Sequence, residues 1–414
     1  MKNLAYLLYA VLLSLVGCSS TLPVPPTTPN PNNPTPQPPP DNGACAFTVT
    51  EEITVDTVWQ NTPSSCDYLL DPQSSGIVVS NGTLSVEPGT VVKFAQDVSL
   101  RISNNARLLA VGTPDARISF EGQSPVKGFA YGVHFSSPLA SRIEYSDFRY
   151  LGKEDVGLFA NQDAAISGAL DSSLTLKHST VSGSSFYGAK LEDVNLIEFT
   201  TNQFFDNARY SVVIDAAQVH KLDAESDYLG QAKANGRPYV LLEGVSSGEE
   251  AFETAVWKRL NAPYFIDIAV NIVGGTITVE PGTRFVFNEG ASLGIDEFGA
   301  LSAAGTPGAP IIFTGEQAQP GYWEGLQYFE SSSRDNLLEY AEVRYAGGSS
   351  LIEGAVSVGL ESYLKMSHTT VADSSSWGVC VTYISDEYQA VFENGEGNSF
   401  SNNPLGDIVY DCDD

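Results

Sequence analysis

GTLSVEPGTVVKF at residues 82–94 returns as GTITVEPGTRFVF at 275–287, an offset of 193 positions. Leu84 and Val86 alternate with polar residues, as a strand with one buried side requires. Glu87-Pro88-Gly89-Thr90 then sets Pro at the second and Gly at the third position of a four-residue corner, the pattern of a type II turn. Val92 and Phe94 resume the alternation. Strand, tight corner and strand, used twice, predict a coiled all-β chain.

The likeness continues downstream. Leu108, Gly112-Thr113-Pro114, Ile118–Phe120 and Gly132 face Leu301, Gly305-Thr306-Pro307, Ile311–Phe313 and Gly325. IEYSDFRY (143–150) faces LEYAEVRY (338–345), LTLKHSTVSGSSFYG (174–188) faces LKMSHTTVADSSSWG (364–378), and NQFFDN (202–207) faces NSFSNN (398–403). The offset drifts between these blocks, so length changes fall between strands, where turns absorb them. Each copy has a leader, Trp59 with Tyr68-Leu69-Leu70 and Trp257 with Tyr264-Phe265-Ile266. Strand centres such as Ile277, Leu301 and Leu326 predict a period of about 20–25 residues, that of a solenoid coil. SGEEAFETAVWKR (247–259) reads as a short helix in the longer second leader.

Thirty-seven glycines and twenty-three prolines in 414 residues favour a turn-rich all-β chain. The net charge of −29 argues against nucleic acid as a partner, and against attraction of the folded body to an anionic membrane. Residues 1–17 carry Lys2 and an apolar run too short to span a bilayer, the pattern of a signal peptide. Leu15-Val16-Gly17-Cys18 resembles the bacterial lipoprotein signal, which implies a diacylglycerol on Cys18 and, with Ser19 following, outer-membrane sorting. Ten prolines crowd residues 21–43, a composition that favours extended polyproline conformation and a semi-rigid tether. Four further cysteines, Cys45, Cys66, Cys380 and Cys412, allow three pairings in an exported chain. Local pairing, Cys45–Cys66 and Cys380–Cys412, would staple the two ends of a solenoid. Free thiols or a metal site are the alternatives.

The succession of Trp59, Tyr68, GTLSVEPGT, Phe94, GTP and Ile118–Phe120 resembles bacterial cell-surface proteins built on a right-handed parallel β-helix. The resemblance spans about residues 45–414 and implies a fold more than an activity. The expected organisation is a signal peptide (1–17), a lipidated Cys with a Pro-rich tether (18–44), a first β-helix half (45–222) and a second (223–414). One elongated stack of about nine to twelve coils is favoured, with the Glu-rich insertion at 249–253 arguing for a break.

His178 and His368 occupy equivalent positions and read as corner residues bonded to backbone; a duplicated site is the functional alternative. His134 and His220 have no counterparts, and no histidine pair has metal-ligand spacing. Tyr131, Phe135, Tyr145, Phe148 and Tyr150, with Tyr322, Trp323, Tyr328, Tyr340 and Tyr345, read as stacked core rather than a sugar platform. Trp323, between Gly321 and Gly325, is the expected exposed exception. Glu144 with Arg149, and Glu339 with Arg344, read as solvated charge ladders. Asn81-Gly82-Thr83 reads as a turn. The NTD, GHG and RIK elements of pectin hydrolases are absent and the only adjacent aspartates are the terminal Asp413-Asp414; nucleophile-elbow and nucleotide-binding motifs are absent too.

No catalytic, cofactor-binding or metal residue is assigned, and no cofactor is expected. The expectation is a monomeric, non-catalytic lipoprotein outside the cytoplasm, anchored to the membrane at Cys18, with a structural role or a glycan or envelope polymer as partner. A polysaccharide lyase or glycoside hydrolase on the same scaffold is the alternative.

Overall fold

The computed structural model describes residues 44–154, 163–169, 172–244, 252–349, 354–382 and 389–412. Cys18, the signal segment and nearly all of the tether lie outside them. The described body is all-β, and every strand pairing within its sheets is parallel.

In the first half the strands fall on three faces in turn. Face one is a seven-stranded sheet running from Phe47–Val49 through Tyr68–Leu70, Val91–Phe94, Ile118–Gly122, Ser146–Arg149 and Thr180–Ser182 to Gln203–Phe205. Gly76–Val86 and Ser99–Val111 are long enough to bend across faces two and three, with a register shift between Val79 and Asn81. The sequon glycine Gly82 has φ +82° just past that shift, with the strand continuing through it. Face two then stacks Gly132–Ser136, Ala164–Gly168, Tyr187–Leu191 and Val212–Asp215. Face three stacks Ser141–Glu144, Ser172–Lys177 and Val194–Thr200.

The EPGT corners form as the sequence predicts. Gly89 and Gly282 have φ of +86° and +83°, and the amides of Thr90 and Thr283 donate to the carbonyls of Glu87 and Glu280 at 3.2 Å. The flanking Leu84, Val86, Val92 and Phe94 point inward and are buried. One apolar cluster fills the interior from Ile53 to Ala390.

Face two crosses the boundary between the halves. Val212–Asp215 pairs with Val240–Glu243, which pairs with Tyr264–Ile266, which pairs with Arg284–Phe287. That ladder continues through Ile311–Gly315, Ala341–Arg344 and Thr370–Ala372 to Ser399–Ser401. It holds thirteen strands among the described residues, one above the expected range. The crossing shifts the repeat by one face. Val91–Phe94 stands on face one, whereas its counterpart Arg284–Phe287 stands on face two. The chain from Ala216 to Asn261 causes this. A 3-10 helix, Ala216–Lys221, leads to Asp227, which bridges Gln203 on face one. Asn261 then bonds Asp227 and the amide of Tyr228 from above, so the second leader reaches Tyr264 over face two. The remaining strands of the second half form two six-stranded sheets.

Two expectations about spacing fail. Leu301 stacks beside Ile277, but Leu326 stacks on Leu293 in the other six-stranded sheet. The strand after Ala300–Ala304 on that side is Leu337–Glu339, so insertions lengthen some coils well past 25 residues. Ala255–Trp257 is a strand, not part of a helix, because Trp257 is needed inside the core. Residues 245–251 lie outside the described chain.

The repeated NQFFDN and NSFSNN blocks are corner chemistry. Asn202 and Asn207 turn inward, and their Oδ1 atoms accept from the amides of Ser179 and Ser184 one coil earlier at 3.0 and 3.1 Å. Asn398 and Asn403 do the same for Thr369 and Ser374. Backbone amides that a corner removes from the sheet are thereby satisfied inside the coil.

Candidate ligand groove at the junction of the halves

On face two near the junction, alternate residues Val212, Ile214, Val240, Leu242, Tyr264, Ile266, Phe285 and Phe287 fill the interior. Their neighbours Val213, Leu241, Phe265 and Val286 therefore point outward, in register from coil to coil. An outer row is ordinarily wet, yet all four are buried in a second apolar cluster with Tyr210, flanked by half-buried Tyr187 and Tyr239. The rings run on from one another: Tyr187 to Tyr210 and Tyr210 to Phe265 at 5.8 Å, Tyr239 to Phe265 at 5.0 Å. The Arg237 guanidinium lies 5.0 Å from the Phe265 ring centre and is 5.6 Å from those of Tyr210 and Tyr239. Its charge is matched by Glu316 at 3.1 Å.

Carboxylates line the edge of this row. Asp215 pairs in register with Glu243; Glu192 directly follows Leu191, the partner of Ile214, and Asp267 follows Ile266, the partner of Leu242. Glu316 follows Gly315, the partner of Phe287. Like charges stacked this way repel, and the compensation is partial. Lys190 stands 3.5 Å from Glu192, and Asn288 donates to Asp267 at 2.7 Å. Burial, reinforced by Glu243 and Asp215 and opposed by Lys190, pushes the Glu192 carboxyl up to about 7. Burial raises Glu243 as well. Between rings and carboxylates lies a groove of about 440 Å³ lined by Tyr187, Arg209, Tyr210, Arg237, Glu243 and Asp267. Such a groove can stack on an apolar ring face while carboxylates accept hydrogen bonds from hydroxyl or amine groups.

The residues singled out in the sequence lie elsewhere. His178 and His368 do sit at corners, each with φ +49°, but the rings stack on Tyr145 and Tyr340 at 4.6 and 4.5 Å. The Nδ1 of His368 is buried without a hydrogen-bond partner, contrary to the expected backbone bond. Tyr145 and Tyr340 are themselves half-buried corner residues with φ of +46° and +44°, not core, because one left-handed residue makes each bend between faces. Tyr131, Tyr150 and Tyr345 are likewise half-buried, whereas Phe135, Phe148, Tyr322 and Tyr328 are buried. Trp323 is wholly buried rather than exposed. Positive φ at Gly321 and Gly325 bends the chain so that the indole stacks on Phe287 at 3.8 Å and donates to the Arg344 carbonyl at 2.8 Å.

Glu144 is buried rather than solvated and pairs with Arg142, not Arg149. Arg149 pairs with Asp147 at 2.8 Å, which also holds Arg117 at 2.7 Å. Arg344 pairs with Glu342 and Asp373. Each of these arginines faces at least one carboxylate within its own cluster. Cys45 is bonded to Cys66 and Cys380 to Cys412, the local pairing.

Sequence reading missed Tyr187, Tyr210, Arg237 and Phe265. The available signal was the loss of alternation in SVVID, YVLL and YFI, where consecutive apolar residues mark strands buried on both sides. No protein-family model, curated protein or solved structure matches this chain.

Proposed function

We propose that this protein is a non-catalytic, lipid-anchored, extracytoplasmic glycan-binding protein on a right-handed parallel β-helix. The carrying observation is the junction groove, where aromatic rings and carboxylates meet on the outside of a rigid parallel stack. The faces of pyranose rings stack on such aromatics, and carboxylates accept from sugar hydroxyls or amines. The net charge of −29 favours neutral or amine-bearing glycans over polyanions. Handedness follows from the strong preference of parallel crossovers for the right-handed sense. The two disulfides fit an oxidising compartment, and the Leu15–Cys18 signal supplies the anchor.

Glycoside hydrolysis is the second reading, because a Glu192 carboxyl held protonated towards neutral pH beside Asp215 has the character of a general acid next to a partner carboxylate. One experiment separates the two. Neutral, amine-bearing and acidic oligosaccharides are titrated with and without calcium, scoring binding and cleavage together. The proposal expects binding of neutral or amine-bearing members without turnover, weakened about tenfold in Tyr187→Ala and Tyr239→Ala. Turnover that disappears in Glu192→Gln would replace it with hydrolysis. Binding indifferent to both tyrosine variants would show that glycans bind outside the junction groove.

A further inference from the structure

We infer a second binding site, for a neutral hydroxyl-rich ligand such as a saccharide unit, on the sheet of Ala269–Val273, Ser292–Asp296, Gly325–Phe329 and Val356–Val358. The outer row of that sheet reads Asn271, Gly294, Gln327, Ser357 and Cys380, in register from coil to coil. Gly294 gives the Asn271 amide room to fold over this row: a Cβ there would come within 2.2 Å of the Asn271 amide oxygen. Along this row lies a groove of about 350 Å³, walled by Asp296, Phe329, Leu360 and Thr382.

Two features point to a ligand. Ser357 is only 3% exposed, lines the groove, and its hydroxyl has no hydrogen-bond partner. Buried hydroxyls are rarely left so, and each exception needs a reason. The other feature is the sequence-equivalent row of the first half, Val78, Arg101, His134, Ser167 and Lys190, which is also in register. There the serine equivalent to Ser357 is satisfied: Ser167 Oγ lies 3.0 Å from His134 Nδ1. In the second half Gln327 replaces His134, and its amide turns to Glu324 at 3.3 Å. The copy has therefore lost the internal partner, and Gly294 and Cys380 replace the arginine and the lysine. The one-face shift also puts the two rows on different sides of the stack.

The lining sets the ligand class. Asn271, Gln327, Ser357 and Thr382 offer uncharged donors and acceptors, and among the described residues no Lys, Arg or His lines the groove. Phe329, 45% exposed, presents an apolar ring at its edge. Neutral polyols match this set; anions do not. The ligand class rests on the glycan reading above, whereas the location rests on the unpartnered Ser357 in its groove and on the contrast with Ser167.

The test titrates maltotriose, cellotriose and trigalacturonate into the intact mature protein by calorimetry, alongside Ser357→Ala, Phe329→Ala and the junction variant Tyr239→Ala. The Ser357 hydroxyl has no internal partner, so Ser357→Ala should keep the melting temperature of the wild type. A neutral trisaccharide is expected to bind, with affinity about tenfold weaker in Ser357→Ala and in Phe329→Ala, a component that survives Tyr239→Ala, and no binding of trigalacturonate. Neutral-sugar binding abolished by Tyr239→Ala but untouched by Ser357→Ala and Phe329→Ala would overturn this site and leave the junction groove standing. The reverse pattern would leave this site standing without the junction groove. Preference for trigalacturonate, or no neutral-sugar binding at millimolar concentration, would overturn it.

Discussion

Asn207 and Asn403 are the same residue of the same repeat, yet replacing them should not cost the same. Asn207 is 1% exposed, and its side chain accepts from Ser184 N and donates to the Val181 carbonyl at 3.2 Å and to Asn235 Oδ1 at 3.0 Å. Asn207→Ala removes three bonds and strands a buried amide in an interior that water does not reach. At about 1 kcal/mol per neutral bond, more where a donor is left unpaired, the loss is about 3 kcal/mol. Asn403 is half-exposed and makes two of these contacts, to Ser374 N and the Val371 carbonyl, in the last coil described. Solvent can replace them there, so Asn403→Ala should cost about 1 kcal/mol. Urea unfolding at constant m-value compares the two variants. Because stacked coils can unfold piecewise, native-state exchange at the Ser184 and Ser374 amides is read alongside. Equal costs, or a larger loss for Asn403→Ala, would refute the view that inward asparagines act as buried corner caps.

Two titrations on face two should oppose one another. Glu192, pushed up to about 7, keeps a proton in the folded state that the unfolded chain has lost above about pH 4.5, so its contribution falls as pH rises from about 4.5 to 7. His134, lowered to about 4 by burial and by Arg101, stays neutral where the unfolded chain is protonated, so its contribution falls as pH drops below about 6.5. Thermal melts should therefore show a stability rising from pH 4.5 to 6.5 in Glu192→Gln and falling in His134→Gln, each by about 1–2 kcal/mol after solvent screening; matching profiles would refute both assignments. Trp323→Ala should destabilise by about 3–5 kcal/mol through the cavity left beside Phe287, whereas an exposed platform residue would cost almost nothing in the same unfolding assay. Reducing Cys45–Cys66, which closes a loop of sequence separation 21, should cost about 3 kcal/mol and speed amide exchange first in Phe47–Val49; thiol reactivity before reduction would contradict the pairing. Cys18→Ala should abolish incorporation of labelled fatty acid and release the body from membranes, and labelling equal to wild type would refute the anchor.

What the sequence determined by itself is local and repeated. Alternation around EPGT specifies strands with one buried side, and Pro-Gly specifies the corner, because both follow from neighbouring residues alone. The duplication made a stacked all-β architecture legible, and the positions of the four cysteines near the two ends made local pairing the simplest connectivity. Tertiary structure decided the phase. Whether Phe287 follows Phe94 on one face or moves to the next depends on how the chain from Ala216 to Asn261 fills its coil, a property of no single motif. That shift separates the two equivalent outer rows, turning Arg101 and His134 to one side and Gly294 and Gln327 to another. It also brings Tyr210, Tyr239 and Phe265 together at the join, although their sequence neighbourhoods share no motif. Trp323 makes the same point at one residue: flanking glycines permit exposure or a sharp inward bend, and the ring of Phe287 from an earlier coil selects the bend. Parallel stacking joins residues roughly one coil apart, so its contacts are non-local by construction, and pattern within one strand cannot specify which outer positions become neighbours.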